Sequence, residues 1–232
     1  NTTSSDYKTI VKVAGAWATG DALNTARYLF ATAGATQGTA LAISGAPPAT
    51  LIRDVEEYDG SSWTEIADVN VGRMAANALG TNTAALFIGG ANGALYTSVE
   101  SWNGTSWTEG TDINTATSNQ GAVGISTAAL CIAGTAPSIT AKCESWNGTA
   151  WTEVNDINDA RSNLGNFGTQ TAAVVANGLS PGDVASTEEW NGTSWTEVND
   201  SNTASFYPSS GGQSATGGMI FGRATGPSTT VS

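Results

Sequence analysis

A short aromatic motif recurs along this chain at a fixed spacing, and that spacing limits the folds open to it. One copy reads Trp102-Asn103-Gly104-Thr105-Ser106-Trp107, with an aromatic residue at each end of an Asn-Gly turn. Its second aromatic recurs every 44 residues, at Trp63, Trp107, Trp151 and Trp195. A weaker copy begins at Trp17, which is 46 residues before Trp63. All eight Trp residues fall on these repeat positions, namely the five above together with Trp102, Trp146 and Trp190.

Each repeat has the pattern of four short strands. In the second repeat these are residues 75–80, 84–88, 97–102 and 106–113, and the last two flank an Asn-Gly pair typical of a hairpin turn. A glycine ends the apolar second strand at the same repeat position each time, at Gly90, Gly134, Gly178 and Gly222. Four antiparallel strands in 40–50 residues indicate a β-propeller blade. We expect the Trp side chains to pack between neighbouring blades.

The two ends of the chain carry complementary halves of a repeat. The last repeat begins near Ser205 and stops before any Asn-Gly pair, whereas residues 7–13 form an N-terminal strand signal followed by Trp17 and Asn24. The sequence therefore predicts a composite blade built from residues 1–24 and 205–232. The predicted fold is all-β: one propeller domain over residues 1–232, with five blades of four antiparallel strands, closed by the N-terminal strand pairing with the C-terminal blade. An open solenoid is the alternative, but it would leave apolar edges uncapped.

The composition excludes several function classes. The chain has 20 acidic and 8 basic residues, a formal charge of -12, and no histidine. A surface this acidic repels nucleic acid and anionic membranes, and the missing histidine removes His-based catalysis and most zinc, copper and haem sites. No apolar run is long enough for a transmembrane helix. Because the sequence begins at Asn1 rather than Met, we expect it to be processed or cut from a longer polypeptide.

Several of these motifs resemble those of known propeller families. The series Tyr58, Trp63, Arg73 and Gly89-Gly90 resembles a kelch repeat, although only this copy has both glycines and its hairpin is shorter. The Gly104-Thr105-Ser106-Trp107 end is similar to the Asp-box of sialidase-like propellers, with Trp102 where the Asp would stand. The whole repeat resembles the kelch-like structural and fibre-type proteins of marine tailed phages. That resemblance implies a virion component.

Acidic residues also follow the repeat, and two interpretations of them are open. One set of aspartates has the 44-residue spacing and could line a mouth of the central channel to bind Ca²⁺: Asp68, Asp112, Asp156 and Asp200. The alternative, which we favour, is that each Asp caps its own turn. Two sets of glutamates share the spacing: Glu56, Glu100, Glu144 and Glu188, and Glu65, Glu109, Glu153 and Glu197. Because 12 of the 20 acidic residues have repeat copies, a glycosidase with one special carboxylate pair is disfavoured.

The arginines and cysteines are predicted to be structural. Arg27, Arg73 and Arg161 share one repeat position, where we expect them to bond neighbouring carbonyls or an acid ring. Cys131 and Cys143 occupy packing positions on strands that flank a loop near Pro137. Two buried thiols are the first expectation, and a disulfide between adjacent strands is the second.

These observations predict a protein without catalytic residues or cofactors. We expect a non-enzymatic structural or attachment propeller of a virion, with other virion or surface-assembly proteins as partners and a host-surface glycan as a possible ligand. The loops that differ between repeats would make the contacts, at residues 47–52, 91–96, 135–140 and 179–184. A secreted lectin-like propeller is the alternative, followed by a glycoside-processing enzyme. The expected location is the virion or the extracellular space.

Overall fold

The computed structural model describes residues 21–36, 38–47 and 51–222. These residues form four sheets of four antiparallel strands, which we call blades 1 to 4. Blade 1 consists of β1 (Ala31–Thr36), β2 (Thr39–Ile43), β3 (Val55–Tyr58) and β4 (Trp63–Ile66). Blade 2 consists of β5 (Asn77–Thr81), β6 (Ala84–Ile88), β7 (Val99–Trp102) and β8 (Trp107–Glu109).

The third and fourth repeats fold in the same way, but blade 3 has two longer strands and blade 4 has an additional two-stranded ribbon. Blade 3 consists of β9 (Gly121–Ile125), β10 (Ala128–Ala136), β11 (Ser138–Trp146) and β12 (Trp151–Val154). The chain of blade 4 runs through β13 (Gly165–Thr169), β14 (Ala172–Ala176), a small ribbon of β15 (Leu179–Ser180) and β16 (Gly182–Asp183), β17 (Thr187–Trp190) and β18 (Trp195–Val198). The blade 4 sheet is β13-β14-β17-β18.

The prediction of five blades is wrong. Across the described ranges only four sheets have four strands, and the fifth repeat contributes a two-stranded hairpin of β19 (Ser209–Gly211) and β20 (Met219–Phe221), here called the terminal hairpin. The sequence predicts a fifth blade by joining the incomplete repeats at the two ends of the chain. Residues 205–222, however, form only this hairpin. The N-terminal strand expected at residues 7–13, and the closure assigned to it, lie outside the described residues.

The first strand of each blade lies innermost. Strand β5 packs against β1 and β9, and β13 packs against β9 and β19. The terminal hairpin thus follows blade 4 in the same order, and on its other side the Gln213 amide donates to the Ala35 carbonyl of blade 1 at 3.3 Å. The fourth strands are at the outer edges of their sheets. No helix in the described part of the chain is long and apolar enough to cross a membrane.

The core lies between the blades. One buried cluster joins Leu41 and Val55 of blade 1 to Trp102 and Trp107 of blade 2. The same arrangement holds between blades 2 and 3 and between blades 3 and 4, where the contributing aromatic pairs are Trp146–Trp151 and Trp190–Trp195. Burial of a large aromatic side chain stabilises a fold by roughly 2–3 kcal/mol, so these pairs hold neighbouring sheets together.

The aromatic pairs meet because their strands are in direct register. Trp102 lies opposite Trp107, and their ring centroids are 5.2 Å apart. The connecting turn has four residues, 103–106, and only Gly104 in it has a positive φ, of 90°. Asn103 acts as an acceptor, because its Oδ1 binds the amides of Thr105 and Ser106, both at 2.9 Å. The turn is therefore held by an Asx interaction and is not a two-residue Asn-Gly turn.

Candidate binding face

A buried glutamate on the third strand anchors the segment that leads into each blade. In blade 2, Glu100 Oε2 accepts hydrogen bonds from the Asn70 amide at 2.7 Å and from Asn70 Nδ2 at 3.0 Å. Its Oε1 accepts from the Val71 amide at 3.3 Å and from Arg73 Nη2 at 3.1 Å. We call this arrangement the glutamate clamp. Its other members are Glu56, Glu144 and Glu188, which bind Asn24, Asn114 and Asn158.

The arginines complete three of the four clamps, as the sequence predicted. Arg73 Nη1 donates to the carbonyls of Gly89 and Ser98, at 2.9 and 2.7 Å, and so ties the clamp to the end of β6. Arg27 pairs with Glu56, and Arg161 pairs with Glu188 in the same way. Burial lowers the pKa of the Arg73 and Arg161 guanidinium groups, and the adjacent carboxylates oppose that shift. These ion pairs belong to the scaffold.

The aspartates considered for Ca²⁺ follow the outermost strands, β4, β8, β12 and β18, away from the innermost strands. All four are exposed: Asp68, Asp112, Asp156 and Asp200. Asp68 pairs loosely with Arg53 at 3.5 Å, and Asp112 accepts a hydrogen bond from Thr97 Oγ1 at 2.9 Å. In the part of the chain that the structure covers, no three acidic, Cys or His side chains gather as a metal site would require. The structure thus does not bring these aspartates together.

The recurrent glycines lie where the end of a blade's second strand packs against the segment that enters the first strand of the same blade. Gly178 has a φ of 117°, and a Cβ atom there would lie 2.8 Å from the Ser162 carbonyl oxygen. Gly90 and Gly134 are equally crowded, whereas Gly222 has a positive φ in open space. The Gly90 and Gly178 amides donate to the carbonyls of Thr117 and Ser205, which lie on the way into the next repeat. Only glycine meets both requirements at the crowded positions.

A second series of left-handed residues lies just before the innermost strands. Leu29, Ala75, Asn119, Asn163 and Tyr207 have φ values of 51–54°. The amides of the last four each donate to the carbonyl of the preceding member, over 2.8–3.1 Å. This left-handed series forms a continuous chain of hydrogen bonds from blade to blade. Its side chains vary widely in type, so the sequence carried no signal for it.

The variable loops lie at the same end of the propeller as the left-handed series. An isolated bridge joins Tyr28 to Ala46 in blade 1, Met74 to Ala91 in blade 2, and the equivalent residues of blades 3 and 4. Each bridge pairs the segment before the first strand with the start of the loop between the second and third strands. We call this end the loop face. The Asx turns, such as residues 103–106, lie at the opposite end because β7 runs between the two.

The loops on this face have different conformations. Residues 91–96 fold back so that the Tyr96 amide donates to the Gly90 carbonyl at 3.0 Å. In blade 3 the strands simply continue, and Ala136 pairs with Ser138. In blade 4 residues 179–183 form the β15–β16 ribbon. Residues 48–50 of the first loop lie outside the described residues. One scaffold thus carries at least three distinct loop shapes.

Exposed apolar side chains accompany the left-handed series. Tyr28 is 54 % exposed, Tyr207 is 46 % exposed and Leu29 is 37 % exposed. Tyr28 and Leu29 lead into blade 1, and Tyr207 leads into the terminal hairpin. An aromatic ring that is half exposed on a rigid backbone can stack on a flat ligand surface.

The cysteines are buried on opposite faces of one sheet. Cys143 lies opposite Ile132, and Cys131 lies opposite Glu144, so the two side chains alternate across the sheet. Cys131 packs between blades 2 and 3, whereas Cys143 packs between blades 3 and 4. Both are free thiols, which is the first of the two expectations. Burial raises the pKa of both, that of Cys143 to about 12.

The sequence indicated the spacing of the glutamates in the clamp but not their burial. The 44-residue spacing of its glutamates was apparent, and the same spacing from Asn70 to Asn114 and Asn158 could have identified their partners. What the spacing could not indicate was burial, because a glutamate is usually exposed and these are 1–4 % exposed.

Comparison with known proteins identifies the fold alone. No protein-family description and no curated protein sequence matches this chain. Among solved structures, "Structure of YjhT" is similar with a TM-score of 0.66 at 12 % sequence identity, covering 84 % of this chain and 81 % of that one. The chain is therefore a β-propeller by structure.

Proposed function

We propose that this chain is a non-enzymatic propeller of a virion that uses the loop face for attachment. The observation that carries this proposal is the contrast between a repeated scaffold and unrepeated loops on one face. The clamp and the aromatic pairs recur almost unchanged, whereas the loops at residues 91–96, 135–140 and 179–184 differ in both sequence and shape. Loops on a rigid scaffold are the usual place for recognition.

The use of the acidic residues supports a non-enzymatic role. The most buried carboxylates are those of the clamp, and each already accepts hydrogen bonds from backbone amides and an asparagine. A glycosidase needs two carboxylates on either side of a substrate. The clamp glutamates bind the scaffold instead. The kelch-like resemblance to phage fibre-type proteins supports the virion setting.

Immunogold electron microscopy tests the virion assignment. An antibody raised against the folded chain would be applied to virus particles purified from cultures that express it. We expect gold at a fixed place on intact particles. Label found only in the particle-free supernatant would contradict the virion assignment and favour a secreted protein.

A lectin-like role is the second candidate, because Tyr28 and Tyr207 expose half of their surface on the loop face. A glycan array tests it with the whole chain and with a variant in which Tyr28 and Tyr207 are both replaced by Ala. Thr105→Ala, at the opposite end, is the matched control. Binding that is lost only in the tyrosine variant supports the role, and binding that persists there, or a parent chain that binds no glycan, contradicts it.

A further inference from the structure

Blade 3 departs from its neighbours at the arginine of the clamp. Thr117 stands where the second and fourth repeats have Arg73 and Arg161. Glu144 still accepts hydrogen bonds from the amides of Asn114 and Thr115, at 2.7 and 2.8 Å, and is 4 % exposed. It therefore keeps the buried carboxylate of a clamp without the guanidinium that balances the charge elsewhere.

Blade 3 also lacks the two aromatic rings that flank the guanidinium in blade 2. In blade 2 the guanidinium carbon of Arg73 lies 4.2 Å from the centre of the Phe87 ring and 5.7 Å from that of Tyr96. The positions 44 residues later are Cys131 and Thr140. Arg73, Phe87 and Tyr96 of blade 2 are thus all replaced by smaller residues in blade 3.

These replacements leave a cavity of about 10 Å³. Thr117, Cys131 and Thr140 line it, together with Glu144, Ala133 and Lys142. A space of this size holds one species as large as a water molecule. The Thr117 hydroxyl, which lies 3.2 Å from the Thr135 carbonyl and 3.5 Å from the Ala133 carbonyl, adds a neutral oxygen to the lining that includes the Glu144 carboxylate.

The nearest basic side chain has another partner. The Lys142 ammonium is 3.2 Å from Glu153 Oε2, on the exposed outer part of the sheet. The hydrogen bonds that Glu144 accepts all come from neutral donors of Asn114 and Thr115, and Lys142, which also lines the cavity, is paired with Glu153. Burying an unbalanced carboxylate is costly, and a counter-cation of the right size removes most of that cost.

We propose that the blade 3 cavity binds one small monovalent cation, of the size of K⁺ or NH₄⁺, on the Glu144 carboxylate. The cation takes the place that the Arg73 guanidinium has in blade 2. A larger cation such as tetramethylammonium does not fit a cavity of this volume. The site is independent of the loop face and of the proposed attachment role.

Thermal unfolding followed by Trp fluorescence tests the proposal. Melting temperatures of the whole chain would be compared in chloride salts of K⁺, NH₄⁺ and tetramethylammonium at equal ionic strength. At a concentration about five times Kd, a small cation should raise the melting temperature by about 2–4 °C over tetramethylammonium. Equal melting temperatures in all three salts would overturn the proposal.

Two variants separate the site from general salt effects. Thr117→Arg supplies a tethered guanidinium, so it should melt higher in tetramethylammonium and lose the preference for small cations. Thr117→Val keeps the volume and removes the hydroxyl, so it should weaken the preference. The proposal fails if the preference for small cations is as large in Thr117→Val as in the parent chain and also persists in a folded Thr117→Arg protein. That result would mean that the cation binds elsewhere.

A third variant addresses Lys142 as the alternative counter-charge. In Lys142→Met the preference for small cations should remain as large as in the parent chain. A preference that appears only after this lysine is removed would show that Lys142 occupies the site in the native protein, and would overturn the proposal.

Discussion

At the scale of single residues, backbone conformation decides which side chains the repeat can tolerate. The glycine that follows each apolar strand lies so close to the segment entering the first strand of its own blade that a Cβ atom meets backbone at 2.8–2.9 Å in Gly90, Gly134 and Gly178. Residues of the left-handed series also have positive φ, yet Leu, Ala, Asn and Tyr all occur there. Steric contact, and not φ alone, therefore explains why one series is glycine and the other is varied.

Gly178→Ala is expected to destabilise the protein by at least about 2 kcal/mol, since it adds left-handed strain to a clash with the Ser162 carbonyl. The melting temperature should fall by about 4–8 °C. Gly182→Ala is the matched control, because a Cβ atom there meets nothing within 4 Å. Equal melting temperatures for the two variants would show that the segment before β13 shifts enough to admit a methyl group.

The two thiols are expected to resist modification in the native protein. With the pKa of Cys143 raised to about 12, only about one thiol in 10⁴ is ionised at pH 8. Burial raises the pKa of Cys131 as well. A chromogenic disulfide reagent should react with both only after denaturant is added. Rapid reaction of either thiol without denaturant would contradict their burial.

The same shift has a defined pH dependence. The folded-state pKa of Cys143 lies above the ordinary value of 9.0, so the unfolded chain loses this proton first as the pH rises. The stability associated with the buried thiol is complete below pH 9 and is lost progressively from about pH 9 to about pH 12.

At the scale of elements, the third and fourth strands of each blade place two glutamates opposite each other. Glu100 pairs in register with Glu109, and the other clamp glutamates face Glu65, Glu153 and Glu197 in the same way. Like charges directly opposite on a sheet repel. The clamp offsets this repulsion on the buried member with amide donors and, in blades 1, 2 and 4, with an arginine.

The two glutamates of one pair should therefore respond oppositely to removal of charge. Glu100→Gln leaves Arg73 buried without its counter-charge and should cost about 3–5 kcal/mol. Glu109→Gln removes a repulsive, exposed charge and should change stability by less than about 0.5 kcal/mol, in the favourable direction. Chemical denaturation of both variants measures this difference. A loss of similar size in each would show that the clamp does not act through the buried pair.

The strands and the packing of the Trp pairs between blades were predictable from the sequence, whereas the number of blades was not. The repeat located four strands in the second repeat and placed Trp102 beside Trp107, because alternation and spacing are local properties. The number of blades depends on whether the last repeat forms a full sheet, and residues 205–222 form only the terminal hairpin. The left-handed series was equally hidden, since its five residues share a conformation and not a side-chain type.

At the scale of the whole molecule, the acidic charge is distributed between two roles. The clamp glutamates are buried and carry the scaffold, while aspartates such as Asp112 and Asp156 are exposed beyond the outer strands. A net charge of -12 with few basic residues favours solubility and repels other anionic polymers. The attachment that we propose for the loop face would then rest on neutral and aromatic groups such as Tyr28 and Tyr207.

This distribution predicts how the protein responds to calcium. Because Asp68, Asp112, Asp156 and Asp200 are separately exposed, they lack the six to eight converging oxygens that bind Ca²⁺ in proteins. A chelator such as EDTA, added at constant ionic strength, should leave the melting temperature unchanged, and added Ca²⁺ should act no differently from Mg²⁺. Asp112→Asn is the matched variant and should behave as the parent chain does. A melting temperature that falls with chelator and recovers only with Ca²⁺ would mean that these aspartates converge on an ion after all.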